Sequence, residues 1–141
     1  MEMTDMRCSG ALSNAAWALV VLAFAQGGAA HAQAQAVQGD AEAGAELYAA
    51  QCKGCHTVSI APTLRGVADR PIASVGGFGG YSEGLRARSA QKWTAENLDA
   101  FLSAPVVFAP GSRMVMAVPD VQARADLIAY IRSLPPPREG R

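Results

Sequence analysis

The sequence predicts an all-α domain of three to five helices. Apolar residues recur at helical spacing after Asp40, Thr94 and Asp120, each of which is a residue type that caps helices. The middle of the chain contains the glycine-rich run 76–80 and shows no strand alternation. A long loop of this kind in a small domain usually wraps around something, so we expect the helices to enclose a bound group.

The first predicted helix begins after Asp40 and ends at a pair of cysteines. Gly44, Tyr48, Cys52 and Cys55 follow one another at steps of four, four and three, which places them on one helical face. This helix is therefore expected to deliver both cysteines to the same side of the domain.

Two further helices are predicted in the second half. Thr94 is the candidate cap of one, which Pro105 ends, and Asp120 is the candidate cap of the other, which stops before prolines 135–137. Their apolar positions are Leu98, Phe101 and Leu102 in the first and Leu127, Ile128, Tyr130, Ile131 and Leu134 in the second.

The N-terminal apolar run, residues 11–25, predicts a secretory signal. It precedes the Ala-x-Ala sequence at 30–32, where we expect cleavage, with 34–36 as the second choice. The run is short for a membrane span, although an uncleaved anchor is the alternative. Residues 1–32 are thus assigned to a signal peptide and the mature protein to the bacterial periplasm.

The rest of the chain is long enough for one small domain. We assign residues 33–39 to a polar lead-in, 40–134 to the domain and 135–141 to a proline-rich tail that we expect to be loose. Twelve basic residues balance twelve acidic ones, and no basic run or aromatic-interleaved patch occurs. This pattern argues against nucleic acid as a partner.

The segment Cys52-Lys53-Gly54-Cys55-His56 has the spacing of a c-type haem attachment site. Each thiol can add to one haem vinyl group, and the adjacent His56 can then offer an imidazole nitrogen to the iron. Zinc binding and thiol redox chemistry are the alternatives for a Cys-x-x-Cys pair. No second such pair completes a zinc site, and Cys8 and His31 lie in the predicted signal. We therefore predict one covalently attached haem c.

The second axial position of the iron needs another ligand. Met114 is the candidate, because the turn Pro110-Gly111 before it fixes a loop that directs its side chain. A thioether is a soft, neutral ligand that raises the potential of an electron-transfer site. On spacing alone, Met116 is a close competitor.

These segments, in this order, resemble those of class I cytochromes c over most of residues 39–134. The matching segments are Gly39–Gly44, Cys52–His56, Ala61–Gly66 (family Gly-Pro-x-Leu-x-Gly), Pro110–Met114 (family Pro-Gly-Thr-Lys-Met) and Leu127–Tyr130. The resemblance implies the fold of that family, with the helices packed around one haem, and it implies Met114 rather than Met116 as the distal ligand.

The resemblance also implies roles for residues around the haem. The carbonyl of Pro62 would accept a hydrogen bond from the His56 ring, and this contact would orient the ligand. The haem propionates would be held by Arg70, Tyr81, Trp93 and Ser112. Gly44 against Tyr130 would be the close crossing of the first and last helices.

The chain departs from the mitochondrial-type members at several positions. Phe101 replaces a tyrosine near the methionine sulfur, so we predict a weaker or differently tuned iron–sulfur bond. Met116 replaces a phenylalanine, the loop after His56 is shorter, and lysine is scarce. An arginine-based rim is therefore considered for partner docking, made of Arg86, Arg88, Lys53 and Arg113.

The function predicted from these residues is one-electron transfer in a respiratory or related periplasmic chain, without enzymatic activity. An iron bound on both sides has no open position for a substrate. The expected partners are a membrane or soluble reductase and an oxidase or dehydrogenase. The alternatives are a haem relay subunit of a dehydrogenase complex, with 76–80 at its interface, and a haem enzyme or gas sensor in which Met114 does not bind.

Overall fold

A computed structural model describes residues 37–138, and the predicted signal peptide lies outside this part. Helices occupy it as follows: α1, Ala41–Leu47; a π-helical turn, Tyr48–Cys52; α2, Lys53–His56; α3, Glu83–Arg86; α4, Ala95–Ser103; α5, Pro105–Phe108; and α6, Val121–Ser133. Within residues 37–138 the β structure is limited to one isolated bridge between Pro71 and Lys92. The all-α prediction is confirmed.

The three predicted helix caps are present. The side chains of Asp40, Thr94 and Asp120 accept hydrogen bonds from backbone N–H groups in the first turns of α1, α4 and α6. Pro105 follows α4 as expected, and it also opens the short helix α5, where its missing N–H costs nothing.

The helix that carries the cysteines differs from the regular helix that the spacing predicts. Between α1 and α2 the chain widens into the π-helical turn, which adds nearly one residue to a turn. Cys52 is half-buried while Cys55 is exposed, so the two cysteines do not share one buried face. The regular i, i+4 pattern of α1 ends at Tyr48, where the π-helical turn begins.

Two glycines, Gly39 just before α1 and Gly44 within it, lie in close contact with α6. A Cβ at Gly39 or Gly44 would overlap the backbone carbonyls of Ala125 or Asp126, and one at Gly44 would also crowd the Cβ of Tyr130 at 2.9 Å. The predicted crossing of Gly44 with Tyr130 is confirmed. Only glycine lets the two backbones approach to this distance.

Asp126 fixes the start of α1 against α6. Its side chain is buried, and Oδ1 accepts hydrogen bonds from the backbone N–H of Asp40 at 2.8 Å and from Nε2 of Gln122 at 2.8 Å. A buried carboxylate needs such donors to replace its lost hydration. The charge therefore stabilises the register of the two helices at their crossing.

The long segment between α2 and α4 is tied back on itself. The backbone N–H of Trp93 donates to Arg70 (2.9 Å), that of Asp69 to Trp93 (3.0 Å) and that of Ile72 to Gln91 (2.9 Å). Ile72 is completely buried in the core, together with Leu127 of α6. The glycine-rich run 76–80 thus projects from a loop whose base is fixed.

The start of the predicted loose tail packs against the domain. Pro136 lies directly over Gly66, whose positive φ of 61° and lack of a side chain make room for it. The backbone N–H of Gly66 also donates to Leu134 at 3.3 Å. The tail is therefore in contact with the domain at least as far as Pro136.

Candidate haem-binding site

The two cysteines stand where the helix of residues 41–56 ends. Within residues 37–138 no disulfide joins them, so both sulfurs are available for bonds to another group. The exposed position of Cys55 and the half-buried position of Cys52 put one thiol at the rim of the domain and the other further in.

His56 is held by a single backbone contact. Its Nδ1 lies 2.7 Å from the carbonyl oxygen of Pro62. Because a carbonyl only accepts, Nδ1 carries the proton, and Nε2 keeps its lone pair. Burial lowers the pKa of His56, against an opposing contribution from the Pro62 contact, and so favours the neutral ring. A neutral imidazole with one nitrogen fixed and the other free is the form that binds a metal.

A cavity of about 610 Å³ adjoins this histidine. It is lined by the segment after His56, by the loop 75–78 and by two aromatic residues of the crossing helices, Tyr48 and Tyr130. Cys52 and Met114 do not line it. The cavity is therefore the space on the histidine side, where the loop after His56 is short, and not a slot that reaches from one predicted iron ligand to the other.

Met114 and Met116 occupy different environments. Met114 is partly buried and packs against the hydrophobic core, whereas 43% of the Met116 side chain is exposed. The backbone N–H of Met114 donates to Oγ of Ser112 at 3.2 Å, following a turn in which Gly111 has a φ of 75°. The turn thus directs Met114 inward, while Met116 faces solvent.

Three of the four residues expected near the propionates lie together. The backbone N–H of Trp93 donates to the carbonyl of Arg70. Burial raises the pKa of the Tyr81 hydroxyl, against smaller lowering contributions from its Val75 contact and from the nearby Arg70. The Tyr81 hydroxyl accepts from the backbone N–H of Val75 at 3.1 Å, and Nη2 of Arg70 donates to the carbonyl of Ser74 at 3.1 Å. Ser112 instead contacts Met114.

One buried polar atom in this cluster lacks a partner. Oγ of Ser74 is the one side-chain polar atom in residues 37–138 that is buried without a hydrogen bond. A buried hydroxyl in this state signals a missing acceptor or donor. A carboxylate beside Arg70, Tyr81 and Ser74 would satisfy it, so the polar cluster fits an acidic group such as a haem propionate. Ser74 was not foreseen, since a lone serine in a loop carries no sequence signal.

The arginine rim considered for docking is partly engaged within the domain. Arg88 donates from Nε to the carbonyl of Phe108 at 2.8 Å, and its guanidinium lies 4.3 Å from the centre of the Phe108 ring. Arg86 donates to the carbonyl of Gly79 at 2.8 Å. Both side chains hold loops in place, whereas Lys53 and Arg113 are exposed.

The fold and the donor set define a class of protein: a small helical protein built to hold a c-type haem. Comparison with known proteins gives the family. The family model for cytochrome c matches residues 41–135, and the chain belongs to this family.

Individual relatives agree with this assignment. The chain is 38% identical over 104 residues to the c-type cytochrome cyt cy of Rhodobacter capsulatus, a match that covers 70% of this chain but only 51% of that protein. It is 38% identical over 102 residues to cytochrome c of Tetrahymena pyriformis, covering 69% of this chain and 91% of the relative. The structure of cytochrome cH from Methylobacterium extorquens is similar with a TM-score of 0.58 and 33% identity, over 67% of this chain and 99% of that one.

The family establishes the cofactor and the general function. The chain carries one covalent haem c, with Cys52 and Cys55 in the attachment position, and it is a monohaem electron-transfer protein that acts with redox partners. Within residues 37–138, every helix is too short or too polar to cross a membrane.

Proposed function

We propose that this protein is a periplasmic one-electron carrier in which the iron is bound by His56 on one side and by Met114 on the other. The observation that carries the proposal is the 2.7 Å contact between Nδ1 of His56 and Pro62, since it leaves Nε2 of a neutral imidazole for the metal. The inward position of Met114 supports the second ligand.

The bound haem supplies a one-electron iron couple, and the chain supplies the conditions for using it. His56 and Met114 would hold the iron, and with both bound no position on it would be open to a substrate. The protein must then keep both ligands in place in either oxidation state and exclude water from the interior. Fixed ligands lower the structural change that accompanies each transfer.

The propionates are proposed to lie against Arg70, Tyr81 and Trp93, with Ser74 as an additional donor. The unsatisfied hydroxyl of Ser74 and the guanidinium of Arg70 provide donors for a carboxylate that is removed from water. Ser112 is assigned instead to the support of Met114, because its hydroxyl already accepts from the Met114 N–H.

Partner docking is proposed to depend little on charge. The candidate rim has only four cations, and the twelve basic residues of the chain are balanced by twelve acidic ones. Several large apolar residues are exposed: Ile60 by 70%, Val107 by 76% and Val115, which follows Met114, by 82%. Encounter complexes of this kind are small and short-lived. Electron-transfer rates with a native partner should therefore fall only weakly as salt is added.

The optical spectrum of the purified protein in both oxidation states tests the axial ligands. We expect sharp reduced bands of a low-spin c-type haem and, in the oxidised protein, the weak charge-transfer band of a methionine–iron bond. Rapid cyanide or carbon monoxide binding to the resting protein would overturn Met114 as a ligand. A mass that equals the unmodified polypeptide would overturn attachment at Cys52 and Cys55.

The exposed apolar residues also favour a second candidate, a haem relay subunit of a dehydrogenase complex. Such residues are typical of a surface that a partner covers. Size-exclusion chromatography of a native periplasmic extract separates the two, since a free carrier elutes near its own mass. Mass spectrometry of the same fraction tests the predicted cleavage after residue 32, and recovery of the protein only from membranes would contradict it.

A further inference from the structure

The segment that follows Met114 is held at its far end only. Residues 115–117 are exposed, and none of them makes a hydrogen bond to any part of residues 37–138. The next fixed point is Val118, whose backbone N–H donates to the carbonyl of Leu102 in α4 at 2.8 Å. The position of Met114 on this side therefore depends on how firmly residues 118 and 119 are held.

Arg124 of α6 holds these two residues from the opposite direction. Its Nη1 donates to the carbonyl of Val118 at 3.0 Å and to that of Pro119 at 2.8 Å. Its Nε donates to Oδ1 of Asp99 in α4 at 2.6 Å. The guanidinium thus joins the end of the Met114 segment to both α4 and α6.

Arg124 is suited to this task because of its burial and its geometry. Only 8% of the residue is exposed, while the side chain of Asp99 remains 45% exposed. A buried guanidinium needs each of its donors matched, and its planar fork can serve a carboxylate and two carbonyls at once. Removing Asp99 leaves a buried cation without its counter-charge, which loosens its remaining bonds.

We infer that Arg124, with Asp99 as its counter-charge, is a positioning residue for the methionine ligand. It acts by holding residues 118 and 119, so that the segment from Met114 to α6 cannot swing away from α4. This inference rests on Met114 as a ligand in the proposed function. Arg124 keeps the methionine side closed in both oxidation states and does not contact the haem.

The test measures how often the methionine side opens. Imidazole binds to the oxidised holoprotein only when Met114 has left, so its binding rate at saturating imidazole reports opening of the segment. We expect Arg124→Met to raise that rate by at least about tenfold, because one charge-assisted hydrogen bond is worth roughly a factor of ten in an equilibrium. Asp99→Asn should give a smaller increase in the rate. The rate of Arg124→Lys should lie between those of the wild type and Arg124→Met.

Two controls separate positioning from general destabilisation. Asp69→Asn removes a carboxylate from the exposed ion pair with Arg132, where N and O are 3.5 Å apart, and should leave the rate unchanged. Ile72→Val weakens the core away from the segment and should lower the melting temperature without a matching rise in imidazole binding.

Two results would overturn the inference. One is an imidazole-binding rate that is unchanged in both Arg124→Met and Asp99→Asn. The other is an Ile72→Val protein that has the same melting temperature as Arg124→Met and shows an equal rise in the imidazole-binding rate. If Arg124→Met does not fold, Asp99→Asn and Arg124→Lys decide the matter. A wild-type protein without the methionine–iron band would instead show that the proposed ligand is wrong, which is a separate failure.

Discussion

The histidine side and the methionine side of the site are built from contacts of different range. On the histidine side, His56 is fixed by Pro62, six residues away, and the chain between them folds back through the Ala61 N–H to the carbonyl of Cys55 at 3.2 Å. On the methionine side, the residues after Met114 are fixed through Arg124 and Asp99, which are 25 residues apart.

This difference in range indicates which of the two ligands is lost more easily. A contact closed over six residues costs little loop entropy and reforms quickly after it breaks, whereas contacts between distant segments exist only in the folded domain. The histidine is therefore expected to stay in place under mild perturbation. The methionine should be the first ligand to leave.

The largest effect on stability is expected where α1, the helix that leads to His56, crosses α6. Gly44→Val forces a side chain into the backbone of α6 and should destabilise the protein by more than about 3 kcal/mol, since the two helices must separate. Denaturant unfolding of the holoprotein measures the change.

Gly79→Ala is the matched control for this prediction. A Cβ at Gly79 meets no atom within 4 Å, so the free energy of unfolding should stay within about 0.5 kcal/mol of the wild-type value. Similar losses for the two variants would contradict the close crossing as the cause.

Next in size is the loss of the methionine ligand. Met114→Ala should abolish the methionine–iron charge-transfer band, lower the reduction potential and let carbon monoxide bind the reduced protein, while the histidine side stays intact. Met116→Leu should keep the band, since Met116 is exposed and, unlike Met114, is not packed against the core. A band lost in Met116→Leu and kept in Met114→Ala would reverse the assignment.

A smaller effect is expected at the polar cluster. Tyr81→Phe leaves the N–H of Val75 without its acceptor and should cost about 1–2 kcal/mol of unfolding free energy. Tyr130→Phe is the control, because the Tyr130 hydroxyl makes no hydrogen bond to the described residues. An equal loss in both variants would contradict the role of the Val75 contact.

Tyr81 also gives the stability a dependence on alkaline pH. Burial raises the pKa of its hydroxyl above 10, so the unfolded chain loses this proton at a lower pH than the folded protein does. The stabilisation from Tyr81 is complete below pH 10 and is lost as the pH rises through the folded pKa. Unfolding curves of Tyr81→Phe should therefore fall less steeply above pH 10 than those of the wild type.

The smallest effect tunes the methionine side without breaking it. Phe101 packs 5.2 Å from the Trp93 ring, and Phe101→Tyr adds a hydroxyl that can donate to the methionine sulfur. We expect a shift of the charge-transfer band and of the potential, with no loss of fold. Phe108→Tyr, in the same aromatic cluster but under Arg88, should shift neither. An unchanged spectrum in Phe101→Tyr would count against the prediction.

The features that depend on neighbouring residues can be predicted from local sequence. Helix caps at Asp40, Thr94 and Asp120, the attachment motif and the all-α class all follow from local spacing and side-chain chemistry, and the structure and the family confirm them. The signal peptide and the individual ligands remain predictions, since the first lies outside the described residues and the others require the bound haem.

The features that depend on distant residues become visible only in the folded protein. Nothing in the local sequence shows that Arg124 is buried beside Asp99, that Asp126 holds the start of α1, or that Ser74 lacks a partner. The π-helical turn was missed because the steps between Gly44 and Cys55 also fit a regular helix. From local sequence, a charged group or a hydroxyl is expected to be hydrated by solvent. Packing removes that water, and packing depends on segments that are far apart in the chain.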